Sequence, residues 1–191
     1  MTDFSGFRSI ICGIDELEGH AAAGVTHVLS ILDPGWPEPA AFGAFGAHRR
    51  LDLRFHDIIE ELPDQRAVAR QDIAALLGFG RALAAAPGAH LLVHCQAGIS
   101  RSTAALALIL IQAWPERPAA AAVAEIARLR PRAWPNLRMI ELGDEFLGLD
   151  GGLVAAVVAH YRRRLERRPE LALVAAGLGR QREVDRARAA D

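Results

Sequence analysis

Residues 91–102, with the sequence LLVHCQAGISRS, decide the fold of this 191-residue chain. The first three are an apolar run typical of a buried strand, and residues 102–112 are apolar enough to form a buried helix. In the loop between them, Gly98 lies between Cys95 and Arg101, which are six positions apart. A short loop at this place turns its backbone N–H groups inward, and the start of the helix adds partial positive charge. The stretch therefore predicts an anion-binding loop between a central strand and a helix.

The side chains of this loop suit an attack on a phosphate monoester. Cys95 would lie at the base of the loop, where the positive field favours the nucleophilic thiolate. Arg101 can donate two N–H groups to two phosphate oxygens, which a lysine cannot do in the same geometry. Ser102 can donate a hydrogen bond to the sulfur and make it a better leaving group. The phosphate oxygens would be bound by Arg101 and by the backbone of Gln96, Ala97, Gly98, Ile99 and Ser100.

The nine residues from His94 to Ser102 match HCxxGxxR[ST], the signature of the cysteine-based protein tyrosine phosphatases. Within that superfamily the chain resembles the compact dual-specificity branch, in particular small bacterial proteins of that type, over roughly residues 9–149. The resemblance implies a phosphomonoester hydrolase that works through phosphocysteine, with no metal and no cofactor. It implies a phosphorylated protein or a small phosphomonoester as substrate. It also implies that His94 points into the core and orients the cysteine.

Other interpretations fit parts of the same stretch. Cys95 can be a plain core cysteine with Arg101 as a surface charge, and rhodanese-like proteins also hold a reactive cysteine in such a loop, without the HC start and RS end. A phosphoprotein-binding module without turnover is a further alternative, although such relatives usually lose the cysteine or the arginine. An inositol or lipid phosphatase would gain from the basic C-terminal part, but the variable positions of the loop carry no positive charge.

Hydrolysis also needs a general acid, which the family supplies as an aspartate at the end of the strand before the pre-loop helix. Asp57 follows the alternating stretch 50–55, which predicts a strand, whereas Asp64 lies in the charged loop beyond it. Asp64 is 31 residues before Cys95 and Asp57 is 38, and the usual spacing is closer to the first. Because of its position at the strand end we favour Asp57 as the acid, with Asp64 as the alternative.

A second motif follows the helix behind the loop. Residues 130–136 read RPRAWPN and resemble the RPxxxPN segment of the same enzymes, in which the asparagine steadies the catalytic loop. The resemblance implies that supporting role for Asn136, and a plain Pro-Asn turn is the alternative.

The rest of the chain alternates predicted strands with predicted helices. Strands are predicted at 9–12, 25–31, 50–55 and 91–93, and helices at 14–23, from an N-cap at Asp72 to about 86, and at 102–112, 123–129, 137–149 and 153–165. This order predicts an α/β fold with a single central, mostly parallel sheet flanked by helices. We expect a phosphatase domain over 1–150, a C-terminal helical extension over 151–178, and a flexible tail over 179–191, for which an amphipathic helix is the alternative.

The composition bears on the source of the protein, on nucleic-acid binding and on membrane insertion. All 22 basic residues are arginines, and their use together with frequent alanine suggests a bacterial, GC-rich genome. Residues 1–150 carry 13 arginines against 18 acidic residues, which leaves no polybasic face for nucleic acid, whereas residues 151–191 carry 9 against 5. The longest apolar stretch, 103–113, is too short for a membrane span.

The cysteines and histidines bear on redox state, location and metal binding. With Cys12 and Cys95 alone, no disulfide framework is expected, and the chain shows no signal peptide, so a reducing, cytoplasmic location is predicted. Cys12 is expected in the core, with a redox partnership to Cys95 as the alternative. The seven histidines show no metal-ligand spacing, so no metal site is expected.

Overall fold

The computed structural model describes residues 6–189. Four strands form one sheet in the order β1–β4–β2–β3, and every neighbouring pair is parallel. The strands are β1 (Arg8–Cys12), β2 (His27–Leu32), β3 (Arg49–Arg54) and β4 (His90–His94). The α-helices of the described residues are α1 (Arg70–Ala84), α2 (Arg101–Ala113), α3 (Ala119–Leu129), α4 (Leu137–Leu147), α5 (Gly152–Arg167), α6 (Leu171–Gly177) and α7 (Gln181–Ala189). The predicted α/β fold with a single sheet flanked by helices is confirmed.

The central strand is buried on both faces. β4 lies between β1 and β2, and all five of its residues are buried. Leu91 and Val93 join the core formed with the α-helices, whereas Leu92 joins a smaller core beside the 3₁₀ helices Ile14–His20 and Ala40–Ala44. Burial on both sides explains why an apolar run, rather than an alternating pattern, marks this strand in the sequence.

The parallel order of the strands positions the site. Because all four strands run the same way, the residues that follow them meet at one edge of the sheet, where ligands bind in open α/β folds. Gly13 follows β1, Asp33 follows β2 and Cys95 follows β4, while Asp57 lies three residues beyond Arg54, the last residue of β3. This edge therefore gathers the loop, two carboxylates and the cysteine.

Local details differ from the predicted elements. The helix predicted at 14–23 is a 3₁₀ helix, Ile14–His20. Asp72 is not the N-cap of α1, because that position belongs to Ala69, whose N–H is bonded by the Asp72 carboxylate at 2.9 Å. A carboxylate at the third helical position satisfies a free N–H from inside the helix instead of capping it from outside. None of the helices within residues 6–189 combines the length and the apolar character needed to cross a bilayer.

The C-terminal segment differs most from its predicted structure. Residues 179–191 were expected to form a flexible tail, but Gln181–Ala189 is helix α7, and Glu183 within it is completely buried. Trp134 Nε1 donates to the Glu183 carboxylate at 2.5 Å, and Leu137 N donates at 3.1 Å. These bonds fix the helix against the body, so the amphipathic alternative is the one the structure adopts. Residues 190 and 191 lie outside the described part of the chain.

Candidate active site

The loop after β4 turns its carbonyl groups away from its concave side. Each carbonyl oxygen of residues 96–100 accepts a hydrogen bond from the structure behind the loop: Gln96 from Ile14 N (2.9 Å), Ala97 and Gly98 from the Arg130 guanidinium (3.0 Å each), Ile99 from Trp134 N (2.9 Å) and Ser100 from Asn136 N (3.3 Å). A peptide N–H points opposite to the C=O of the same unit. The N–H groups of residues 97–101 therefore face the concave side, and none of them donates to a protein acceptor within residues 6–189. This is the geometry of an anion-binding nest.

Cys95 and Ser102 lie together beneath this nest. Cys95 is 2% exposed, and its Sγ lies 3.3 Å from Ser102 Oγ. The hydroxyl can donate to a thiolate, which lacks a hydrogen of its own. This distance is compatible with the expected hydrogen bond from Ser102 to the sulfur, and the two residues stand at the two ends of one short loop.

His94 is a buried residue of the core. It packs edge-on against Phe42, with 5.5 Å between the ring centroids. Burial lowers the pKa of His94 to about 4, so the ring is neutral at pH 7. Within residues 6–189 no side chain bonds either ring nitrogen, and the Cys95 backbone beside the ring raises the pKa against the larger effect of burial.

Arg101, the first residue of α2, is buried, with 1% of its surface exposed. Its Nη1 donates to Asp33 Oδ1 and to the Phe55 carbonyl, both at 2.6 Å, and its Nη2 donates to Gln96 Oε1. Asp33 Oδ2 also accepts from Gln96 Nε2 at 3.0 Å. Asp33 thereby holds two side chains of the site, a role that sequence reasoning missed. Its only signal was an acidic residue directly after a buried strand.

Asp57 adjoins the nest, and Asp64 does not. Asp57 Oδ1 accepts from Ser100 Oγ at 2.8 Å and from Asn136 Nδ2 at 2.9 Å, and its Oδ2 lies 3.9 Å from Arg101 Nε. Asp64 is exposed in the turn closed by the bridge between Leu62 and Gln65. Of these two candidate acids, the structure therefore places only Asp57 in contact with the loop and with Arg101.

The Asp57 carboxyl is held in its ionised form in the unliganded site. Burial raises the pKa of Asp57, but the positive charges of Arg180 and Arg101 outweigh it. The resulting pKa lies below the ordinary value of an aspartate. Opposite charges at hydrogen-bond distance favour the charged form of a carboxyl, which explains the direction.

Arg180 is a second residue that sequence reasoning missed. It precedes α7 and is buried, and its Nη2 donates to the Asp57 carboxylate, to the Asp57 carbonyl at 3.1 Å and to Ser100 Oγ at 2.9 Å. Its Nη1 donates to Glu183 at 3.2 Å. No local pattern marks Arg180, because it stands in a stretch rich in other arginines. The C-terminal segment thus reaches the candidate acid.

The RPxxxPN segment supports both the loop and the acid. Arg130 donates to two loop carbonyls and pairs with Glu16 at 2.8 Å. Asn136 is the N-cap of α4, where its Oδ1 accepts from Met139 N at 3.0 Å, while its Nδ2 donates to Asp57. The implied supporting role of Asn136 has a geometric basis in these bonds.

Cys12 lies at the end of β1, where its backbone is close to Gly98 of the loop. Cys12 is buried at the end of β1, and burial raises the pKa of its thiol to about 12. It is therefore a thiol, not a thiolate, at neutral pH. Within residues 6–189, the side chains of His, Cys, Asp and Glu form no group of three that could hold a metal ion.

Solved structures resemble this fold over 72–84% of the chain, whereas no protein-family model and no curated protein matches the chain. Human DUSP28 aligns with 22% identity and a TM-score of 0.55, over 75% of this chain and 94% of that chain. DUSP15 aligns with 21% identity and a TM-score of 0.53, over 84% of this chain and 91% of its own. The fold is that of the dual-specificity phosphatases.

A third match limits what this fold implies. The human tyrosine phosphatase-like serine/threonine/tyrosine-interacting protein aligns with 21% identity and a TM-score of 0.53, over 72% of this chain and 86% of that chain. Its name describes a phosphatase-like interacting protein. Fold likeness at this identity therefore does not separate an enzyme from a binding module, and function has to be argued from the side chains of the site.

Proposed function

We propose that this protein is a phosphomonoester hydrolase of the protein tyrosine or dual-specificity type, acting through a phosphocysteine intermediate. One observation carries the proposal: a buried cysteine lies 3.3 Å from a serine hydroxyl, beneath a nest of inward N–H groups and beside a buried arginine. A core cysteine with an unrelated surface arginine would not account for this arrangement, since Arg101 is buried. The preserved Cys95 and Arg101 also favour turnover over mere phosphoprotein binding.

In the first step the Cys95 thiolate attacks phosphorus in line with the leaving oxygen. The S–P bond forms and the P–O bond to the leaving group breaks, while Asp57 gives its proton to the departing oxygen. Arg101 and the backbone N–H groups of residues 97–101 bind the other phosphate oxygens, where negative charge is spread in the transition state. In the second step water attacks phosphorus, Asp57 takes a proton from it, and the sulfur leaves with a hydrogen bond from Ser102.

The low pKa of Asp57 is compatible with its role as acid. In the free protein, Arg180 and Arg101 favour its ionised form. A phosphate dianion bound in the nest brings like charge close to the carboxyl and takes up the donors of Arg101. Both changes raise the pKa of Asp57 and favour the protonated carboxyl. Substrate binding itself would thus favour protonation of Asp57.

Surroundings that keep Cys95 reduced suit this chemistry, because only a thiolate can attack. We therefore propose a cytoplasmic protein, and the arginine-only, alanine-rich composition supports a bacterial source. The substrate would be a phosphorylated protein or a small phosphomonoester.

The test compares the parent protein with Cys95→Ser on an aryl phosphate in the presence of a chelator. We expect the parent to hydrolyse the ester and Cys95→Ser to lose this activity while it still binds an oxyanion such as tungstate, because the nest and Arg101 remain. Activity of Cys95→Ser above a few per cent of the parent would contradict the covalent mechanism. A parent that binds phosphotyrosine but never releases phosphate would instead support a binding module.

A further inference from the structure

A pocket of about 290 Å³ opens directly beside the catalytic loop. Ile99 of the loop and Trp134 of the RPxxxPN segment line it. Leu171, Val174 and Leu178, in and just after α6, line it as well. The C-terminal helices thus build a mostly apolar wall next to the place where a phosphate would be bound.

The apolar residues of this wall are not covered by the protein itself. Val174 is 56% exposed and Leu178 is 66% exposed. Isolated exposed apolar side chains are common on soluble proteins, but here they line one cavity that also includes Ser100 of the catalytic loop. An apolar group attached to a bound phosphate would lie within reach of them.

Arginines supply positive charge to the same pocket. Arg132, Arg164 and Arg168 all line it. Arg164 is fixed by donating to the Pro131 and Ala133 carbonyls at 2.9 and 3.0 Å, and Arg168 forms an exposed pair with Glu170 at 2.8 Å.

These arginines lack a full set of acidic partners. Within residues 6–189, Arg132 forms no salt bridge, and Glu16, whose pKa is lowered by Arg130 and further by Arg132, is already paired with Arg130 at 2.8 Å. Burial lowers the pKa of the Arg164 guanidinium, and the positive charge of Arg168 nearby lowers it further. Like charges held together in this way favour an anion between them.

We propose that this pocket binds the residues that flank the phosphorylated residue of a phosphopeptide. An apolar side chain next to the phosphoresidue would occupy the wall of α6, and an acidic side chain beyond it would pair with Arg132 and Arg164. The inference rests on the proposed function, because it places the phosphate of the same substrate in the catalytic loop.

Two observations favour a peptide over a membrane lipid. The volume of about 290 Å³ lies at the lower end of the range for ligand pockets, roughly 300–1,000 Å³. It accommodates one large side chain and not the paired acyl chains of a phospholipid. In addition, the side chains of the loop residues Gln96, Ala97, Ile99 and Ser100 offer no cation for the extra phosphates of an inositide headgroup.

The test measures kcat/KM for phosphotyrosine peptides and divides it by kcat/KM for a small aryl phosphate. One peptide carries Leu beside the phosphotyrosine and Glu beyond it, the second has Ser in place of Leu, and the third has Gln in place of Glu. For the parent protein we expect the second peptide to lose about tenfold in this ratio, since an aliphatic side chain loses its burial. The third should lose about two- to fivefold, the usual worth of a partly exposed ion pair.

Matched variants connect these losses to the pocket. Leu178→Gln should lower the ratio for the Leu peptide and remove its advantage over the Ser peptide, whereas Leu173→Gln, in α6 but outside the pocket, should leave the ratio unchanged. Arg132→Gln should remove the advantage of Glu over Gln in the peptide. Arg163→Gln is its control, because Arg163 is an exposed arginine of α5 that does not line the pocket.

Three outcomes would overturn the inference. Equal effects of the pocket variants and their controls would show that the pocket does not contact the peptide. A parent that prefers phosphatidic acid in phosphatidylcholine vesicles to the Leu-Glu peptide would assign the apolar wall to a lipid. A parent that fails on the aryl phosphate itself would refute the proposed function, which is a separate result from failure on peptide selectivity.

Discussion

Gly98 offers a sharp test of how the catalytic loop is built. Its φ is +67°, a conformation that costs an L-residue roughly 1–2 kcal/mol. A Cβ at this position would lie 2.5 Å from the carbonyl carbon of Cys12 and 2.6 Å from its oxygen. Ordinary contacts between such atoms are about 3.5 Å, so Gly98→Ala would push the loop and the end of β1 apart by about 1 Å.

A substitution at Gly24 separates the cost of the backbone conformation from the cost of the close contact. Its φ is also +67°, but a Cβ there would meet nothing within 4 Å. It precedes β2 and so lies at the edge of the sheet opposite to Cys95. Gly24→Ala carries the same backbone cost and the same gain from a less flexible unfolded chain. The difference between the two variants is therefore the contact alone, about 1–3 kcal/mol for an overpacked site.

Calorimetry and kinetics both measure this difference. For a chain of 191 residues, about 1–3 kcal/mol corresponds to a Tm roughly 2–12 °C lower for Gly98→Ala than for Gly24→Ala. A displacement of about 1 Å in the catalytic loop should also cost about 10²-fold in kcat/KM on an aryl phosphate, with Gly24→Ala near the parent value. If the two variants share one Tm and one kcat/KM, the close contact between the loop and β1 is refuted.

Three further predictions concern charged residues of the site. Arg101→Lys should lower kcat/KM on an aryl phosphate by at least about 10²-fold, because an ammonium cannot replace the two-pronged guanidinium, and a near-normal rate would mean that Arg101 does not face the phosphate. On a series of leaving groups, Asp57→Asn should lose about 10²–10⁴-fold for poor leaving groups and less for acidic ones, while Asp64→Asn stays near the parent; the reverse result would exchange their roles. Arg180→Gln removes a positive charge that lowers the pKa of Asp57, so that pKa rises, and the fall of kcat/KM at high pH, where the acid loses its proton, should move to higher pH. Arg182→Gln is the control, since Arg182 pairs with Glu60 and Glu141 instead, and an equal shift in both variants would exclude a specific action on Asp57.

Features encoded within a short segment could be predicted from the sequence. The strand, loop and helix around Cys95 are continuous in the chain, so their apolar runs and the spacing from Cys95 to Arg101 predicted both the sheet and the nest. Asp57 was favoured on its position after a strand, and the structure brings it, and not Asp64, to the loop.

Contacts between distant segments could not be predicted in this way. Asp33 meets Arg101 across 68 residues of sequence, and Arg180 meets Asp57 across 123. The composition of α7 is polar because most of its surface faces solvent, and only Glu183, Val184 and Ala187 are buried. So few buried positions give no visible helical period of apolar residues in the sequence. The hydrogen-bond donors to the buried Glu183 carboxylate, Trp134 and Leu137, lie in another part of the chain.

The charges of the site indicate how substrate binding would favour protonation of Asp57, the proposed acid. In the free site, Arg101 pairs with Asp33, and Arg180 pairs with both Asp57 and Glu183, so each of these two cations already has a carboxylate partner. A phosphate dianion adds two negative charges, and the inward N–H groups and the dipole of α2 offset them only in part. A proton on Asp57 removes the nearest remaining repulsion and places an O–H donor beside the leaving oxygen. If the proposed function holds, the same charges that favour an ionised Asp57 at rest would therefore prepare it as a general acid once phosphate enters the nest.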